Sequence, residues 1–139
     1  MIVKHNENFF IQFDIVYSLG EMNLGILNFW INDKCYPGTG INLTLSSLFF
    51  ILRSNLLEIG NLSIDIGNIP MEEIDFKNFE DDRLVWLDTG ELFQLGFSLI
   101  IGFNHDCERI FYSINYEKNY YEIVLPKGTL KHTLESLDQ

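Results

Sequence analysis

The chain has 139 residues, 47% apolar and 14% aromatic with 12 Phe, which supplies one packed core and argues against disorder and against two ordinary domains. Twenty acids against nine bases give a net charge of −11 and a pI of about 4.5. That balance argues against a phosphate-binding surface, because such a protein repels nucleic acid and anionic membrane and attracts a basic partner.

The opening, MIVKHNENFF, turns polar before an apolar stretch develops, so no secretion signal is expected. FFIQFDIVY (9–17) then alternates. Phe9, Ile11, Phe13, Ile15 and Tyr17 share one face and Gln12 and Asp14 the other, which predicts a strand. SLGEMN is a turn. LGILNFWIN (24–32) alternates again, with Leu27, Phe29 and Ile31 opposite Ile26, Asn28 and Trp30, and completes a hairpin. DKCYPGTGIN is a loop marked by Pro37, Gly38 and Gly40.

Residues 44–59 read as a helix, with Thr44 as its cap and Gly60 as a left-handed stop. Leu45, Leu48, Phe49, Leu52, Leu56 and Ile59 form its core stripe; Ser46, Ser47, Arg53, Ser54 and Glu58 form the polar face. Phe50 and Leu57 interrupt that polar face and need cover, from this domain or from a partner. The apolar run Leu43–Leu52 is far short of the ~20 residues of a membrane span. A cytoplasmic protein is expected, in which the N-x-S/T matches at Asn42 and Asn61 carry no meaning.

From Asn61 to Gly90 the pattern is weak. LSIDIG and RLVWL suggest short strands. Between them MEEIDFKNFEDD (71–82) holds six acids and one lysine threaded with four apolar residues, Met71, Ile74, Phe76 and Phe79. It reads as a short helix with Ile74 and Phe79 turned inward, or as an ordered loop. LFQLGFSLIIGF, CERIFYSI and YYEIVLP then give a three-stranded antiparallel meander, with turns at NHD and NYEK. GTLKHTLESL closes the chain as a short helix with Leu130, Leu134 and Leu137 on one stripe and Thr129 as its cap. The expectation is a single α+β domain over 1–139: an antiparallel sheet of about five to six strands, one long helix on a face and a short C-terminal helix.

Catalytic patterns are not apparent. The three histidines, His5, His105 and His132, are scattered. NHDCE (104–108) has metal-ligand residue types, but strand alternation sends His105 and Cys107 away from Asp106 and Glu108, so it reads as a polar turn and no metal site is expected. PGTG (37–40) has no following lysine and is no Walker loop. The acids of 72–82 lack the glycine and spacing of a calcium loop. Asp14 has no named acid–base partner, and no serine sits in a nucleophile elbow. Cys35 and Cys107 make no disulfide framework; two free thiols or one bridge remain open. Tyr112, Tyr116, Tyr120 and Tyr121 lack the basic groove of a base-stacking platform. No enzyme and no cofactor are expected.

FFIQFDIV (9–16), GILNFWIND (25–33), LTLSSLFFIL (43–52) and YYEIVLPKGTL (120–130) together resemble the immunity protein 42 family of bacterial polymorphic toxin systems, immunity proteins of the contact-dependent inhibition type. Gly25, Trp30, Ile31, Asn32, Thr44 and Leu45 carry the likeness. The resemblance implies a non-enzymatic cytoplasmic antitoxin that binds the C-terminal domain of a cognate toxin, with neither nucleic acid nor membrane as partner.

From Asp65 to Glu91, nine acids face only Lys77 and Arg83, so most of the chain's charge is concentrated there. Many such toxins are nucleases with basic surfaces, onto which an acidic inhibitor is steered. Glu72, Glu73, Asp75, Glu80, Asp81 and Asp82 are the candidate contacts, Phe76 and Phe79 the candidate anchors, and Phe50 and Leu57 a secondary surface. Rival readings are an acidic adaptor, a nucleic-acid mimic, and a small-molecule sensor with an aromatic pocket between sheet and helix. Oligomeric state is not legible.

Overall fold

The computed structural model describes residues 1–38 and 40–137; Thr39, within the PGTG run, lies outside them. Among the described residues the order is β1 (Ile2–Lys4), β2 (Phe9–Leu19), β3 (Met22–Ile31), β4 (Lys34–Tyr36), β5 (Leu43–Thr44), α1 (Leu45–Gly60), β6 (Val85–Leu87), α2 (Glu91–Gln94), β7 (Ser98–Asn104), β8 (Cys107–Ser113), β9 (Tyr121–Pro126) and α3 (Thr129–Glu135). A single 3-10 turn covers Met71–Glu73. The α+β class, the antiparallel pairing, the long helix and the short closing helix agree with the pattern. The strands divide, however, into two sheets: β1-β2-β3-β4 with β5 also on β3, and β6-β7-β8-β9.

Burial explains the division. Every residue from Ser98 to Phe103, and from Glu108 to Ser113, is buried, so β7 and β8 are covered on both faces. One face meets α1, α3 and the first sheet. Phe29 stacks on Phe97 with ring centroids 5.1 Å apart, and Tyr36 lies 5.9 Å from Tyr112, tying the sheets together. Leu45, Leu48, Phe49, Leu52 and Ile59 of α1 fill the space between.

The other face of the second sheet is covered by residues 61–84. Ile66, Phe76 and Leu84 pack on Ile100 and Phe111 as a second core. The amides of Ile66 and Gly67 donate to the Phe103 carbonyl, and Arg109 donates to the Gly67 carbonyl at 2.9 Å and to both Glu122 oxygens. Gly102 permits the close approach: a Cβ there would lie 2.9 Å from Ile66 Cγ2 and 3.2 Å from the Arg83 carbonyl. LSIDIG therefore forms no strand; its backbone is spent on docking.

Other expectations shift for local reasons. A bulge at Val16 breaks the β2 alternation, so Tyr17 leaves the face of Phe9; Ile15 keeps that register, and both stand exposed. Residues 91–94 coil into α2 instead of extending into β7, because Gly90 and Gly96 take positive φ (57° and 95°) and the Phe97 amide returns to the Leu92 carbonyl. Thr44 occupies the N-cap position of α1 without a side-chain hydrogen bond, and Asn61, in right-handed conformation, ends that helix in place of a left-handed Gly60. Thr129 does not cap α3. Glu108, buried on β8, accepts the amides of Gly128 (2.7 Å) and Leu130 (2.9 Å). Burial pushes its carboxyl above the usual range against those hydrogen bonds. Cys35 and Cys107 are free thiols.

Candidate functional site

The acidic stretch resolves into an inward and an outward set. Met71 and Ile74 are half-buried against the second core. Phe76 is buried there, 5.0 Å from Phe111 and 4.3 Å from Tyr120 between ring centroids. Its place as a binding anchor is thereby corrected: it holds the loop to the sheet. Phe79, expected inward in the helical reading, is 67% exposed. It lies edge-on to Trp86 at 5.3 Å, and Trp86 Nε1 donates to the Phe76 carbonyl.

The nine acids of 65–91 also divide. Five accept amides of their own fold. Asp65 takes the His105 amide, Asp75 the Lys77 amide and Asp88 the Gly90 amide. Glu91 takes the Thr44 amide. Asp81 takes the Arg83 amide and grips its guanidinium through both oxygens, at 2.9 and 2.8 Å. The Arg83 hydrogen bonds hold the Asp81 carboxyl below the usual range. Asp81 is therefore an internally paired charge and not a free contact. Asp75 remains exposed while bonded to its turn. Glu72, Glu73, Glu80 and Asp82 are exposed and make no hydrogen bond among the described residues.

Phe79 and Trp86 form a ridge between two concavities. One, of about 470 Å³, is floored by Leu62, Leu84 and Val85 and walled by Glu58, Glu80 and Asp82. The other, of about 360 Å³, lies toward Phe93, Asp88 and Glu117. Phe93 is itself 53% exposed. Glu58, at the end of the α1 polar face, and Trp86, in a three-residue strand, were not singled out in the sequence. Their only signal is an acid on a polar helix face and an aromatic between buried Val85 and Leu87.

Phe50 and Leu57 remain uncovered on the outer face of α1. The four tyrosines do not form one platform: Tyr112 is buried, Tyr120 packs on Phe76, and Tyr116 and Tyr121 are exposed. Tyr120 has its phenol pushed up to about 12, first by burial and then by Glu117. Among the described residues no helix is long and apolar enough to cross a membrane.

The immunity protein 42 family model matches residues 1–139. Among solved structures, CdiI from Burkholderia dolosa AUO158 aligns with a TM-score of 0.65 over 97% of this chain and 96% of that one, at 14% identity, a likeness of fold. No curated protein matches the sequence.

Proposed function

The chain belongs to the immunity protein 42 family, and on that premise we propose that it neutralises a cognate toxin domain in the cytoplasm by one-to-one occlusion through the acidic face around Phe79 and Trp86. The observation that carries this reading is an aromatic ring left in water between two concavities, one of them walled by the carboxylates of Glu58, Glu80 and Asp82, which make no hydrogen bond among the described residues. Covering Phe79 removes apolar surface from water, and aromatic side chains of this kind dominate binding energy when a partner desolvates them. Glu58, Glu72, Glu73, Glu80 and Asp82 supply the negative field that steers a cationic surface onto the ridge. Basic surfaces belong to proteins that handle polyanions, so the toxin class that fits is a nuclease. The protein acts by occupying that surface, with no chemistry of its own.

The test uses the cognate toxin domain, sought first in the reading frame beside the gene. The two are mixed, and complex stoichiometry and toxin activity are followed as the ratio rises. Loss of activity at equimolar ratio is expected, with association that slows as salt is added. Tight binding untouched by Phe79→Ala and by charge reversal of Glu80 and Asp82 would move the contact to another face. Phe50 and Leu57, 69% and 73% exposed, mark that second surface.

A further inference from the structure

Of the two concavities beside the Phe79–Trp86 ridge, the one of about 360 Å³ is bordered by three aromatic rings, Phe79, Trp86 and Phe93. Phe79 and Phe93 are more than half exposed. Two carboxylates, Asp88 and Glu117, complete the border over apolar Leu87 and Leu99, which pair across β6 and β7. No lysine or arginine lines the space, and among the described residues neither Asp88 nor Glu117 enters an ion pair.

Glu117 is held at this border at a backbone cost. Tyr116 and Glu117 both take positive φ (59° and 64°), which residues other than glycine adopt rarely. The turn is fixed by the Tyr116 amide on the Gly96 carbonyl (3.1 Å) and the Glu117 amide on Ser113 Oγ (2.9 Å). The Glu117 side chain is half-buried and accepts the Ser98 hydroxyl at 3.4 Å. That hydroxyl and the Tyr120 phenol beside it are neutral, so the carboxylate keeps an uncompensated charge. Asp88 gives one oxygen to the Gly90 amide at 2.9 Å and is otherwise exposed.

We propose that this concavity receives one arginine side chain of the toxin. The inference rests on the docking face proposed above and names what enters it. The lining selects its guest by charge and shape. An anion is repelled by both carboxylates. A neutral apolar side chain strips water from those carboxylates and returns no partner to them. A cation is drawn by the carboxylates and by the π faces of the three rings together. Of the two permanently cationic side chains, arginine fits better. Its guanidinium is planar and weakly hydrated, lies flat on an aromatic ring and offers a two-pronged fork to a carboxylate, whereas an ammonium is a compact, strongly hydrated point charge. The methylene stem of the arginine then packs on Leu87 and Leu99.

The probe is N-acetyl-arginine amide, titrated into the isotopically labelled full chain without toxin and followed by NMR. N-acetyl-citrulline amide, which keeps the shape and loses the charge, and N-acetyl-lysine amide are compared at matched ionic strength. The arginine compound should shift the Trp86 indole N–H and the Phe93 and Glu117 amides, and leave the Trp30 indole, stacked on Phe10 in the first sheet, where it was. Glu117→Gln should weaken this binding about tenfold. Should that variant fail to fold by circular dichroism, Phe93→Ala, which removes a ring already in water, gives the same reading. Absence of a shift at Trp86, equal shifts from the citrulline or lysine compound, or undiminished binding in a folded variant overturns the proposal. The docking face is read separately with the toxin itself. Toxin binding that falls with Phe79→Ala and with charge reversal of Glu80, yet ignores Glu117→Gln, leaves that face standing and removes the arginine from it. Toxin binding that ignores all three variants overturns both.

Discussion

Phe76 and Phe79 lie three residues apart and face opposite ways: Phe76 is 9% exposed against Phe111, and Phe79 is 67% exposed against Trp86. One ring holds the covering segment to the sheet and the other is presented on its outside. Truncation should separate the two roles. Phe76→Ala should cost about 3–5 kcal/mol of unfolding free energy, as buried aromatic deletions do. Phe79→Ala should change stability by only about 0.5 kcal/mol while weakening toxin binding by about 2 kcal/mol or more. Denaturant unfolding and titration calorimetry read the two effects.

Charge reversal should act on rates. Replacing Glu58 and Glu80 by lysine removes free carboxylates without touching an internal hydrogen bond, and spares Asp82, whose charge acts on Arg83, so thermal unfolding should stay close to that of the natural chain. Association with a basic toxin should slow, and its dependence on salt should shrink, with the dissociation rate less affected. Stopped-flow mixing at two ionic strengths checks this.

Arg109 is the covering segment's main polar tie. Its guanidinium is 7% exposed, gripped by Glu122 at 2.7 Å and bonded to the Gly67 carbonyl. Arg109→Ala leaves Glu122 unpaired and frees residues 65–84, at a cost of about 3–5 kcal/mol. Hydrogen exchange should show lost protection at Ile66 and Gly67 before the strands of the first sheet respond.

Two carboxyls give pH effects of opposite sign. Arg83 depresses Asp81, so the stability from that pair is present above the ordinary aspartate value and is lost as pH falls through the lowered one. Burial raises Glu108, so the folded state holds its proton more tightly than the unfolded chain does. Stability then falls as pH climbs from the ordinary glutamate value through the raised one. Asp81→Asn should flatten the acidic limb of the stability–pH curve. Glu108→Gln should flatten the second change, and should lower stability overall because one of its two amide partners, Gly128 just before α3 or Leu130 in its first turn, loses its acceptor.

The chain's own periodicities determined the hairpin of β2 and β3, the buried stripe of α1, the β7–β9 meander and the α+β class. Each of these is a local repeat that can bury one face, and alternation or helical spacing records it directly. Family membership was legible too, through strand and helix-start residues such as Trp30, Asn32 and Thr44. Residues 61–90 carry no such record. They cover a sheet by irregular contacts, so Ile66, Phe76 and Leu84 are core without any period, and Phe79 looks like them in sequence while pointing away. Likewise six acids in twelve residues read as one patch. Only the tertiary structure decided that Asp81 is consumed by Arg83, that Asp75 is bonded to its own turn, and that Glu58 joins the free carboxylates from a distant helix. Direction in a loop is set by which distant surface it docks on, and that surface here, Ile100 and Phe111, comes later in the chain than the loop itself.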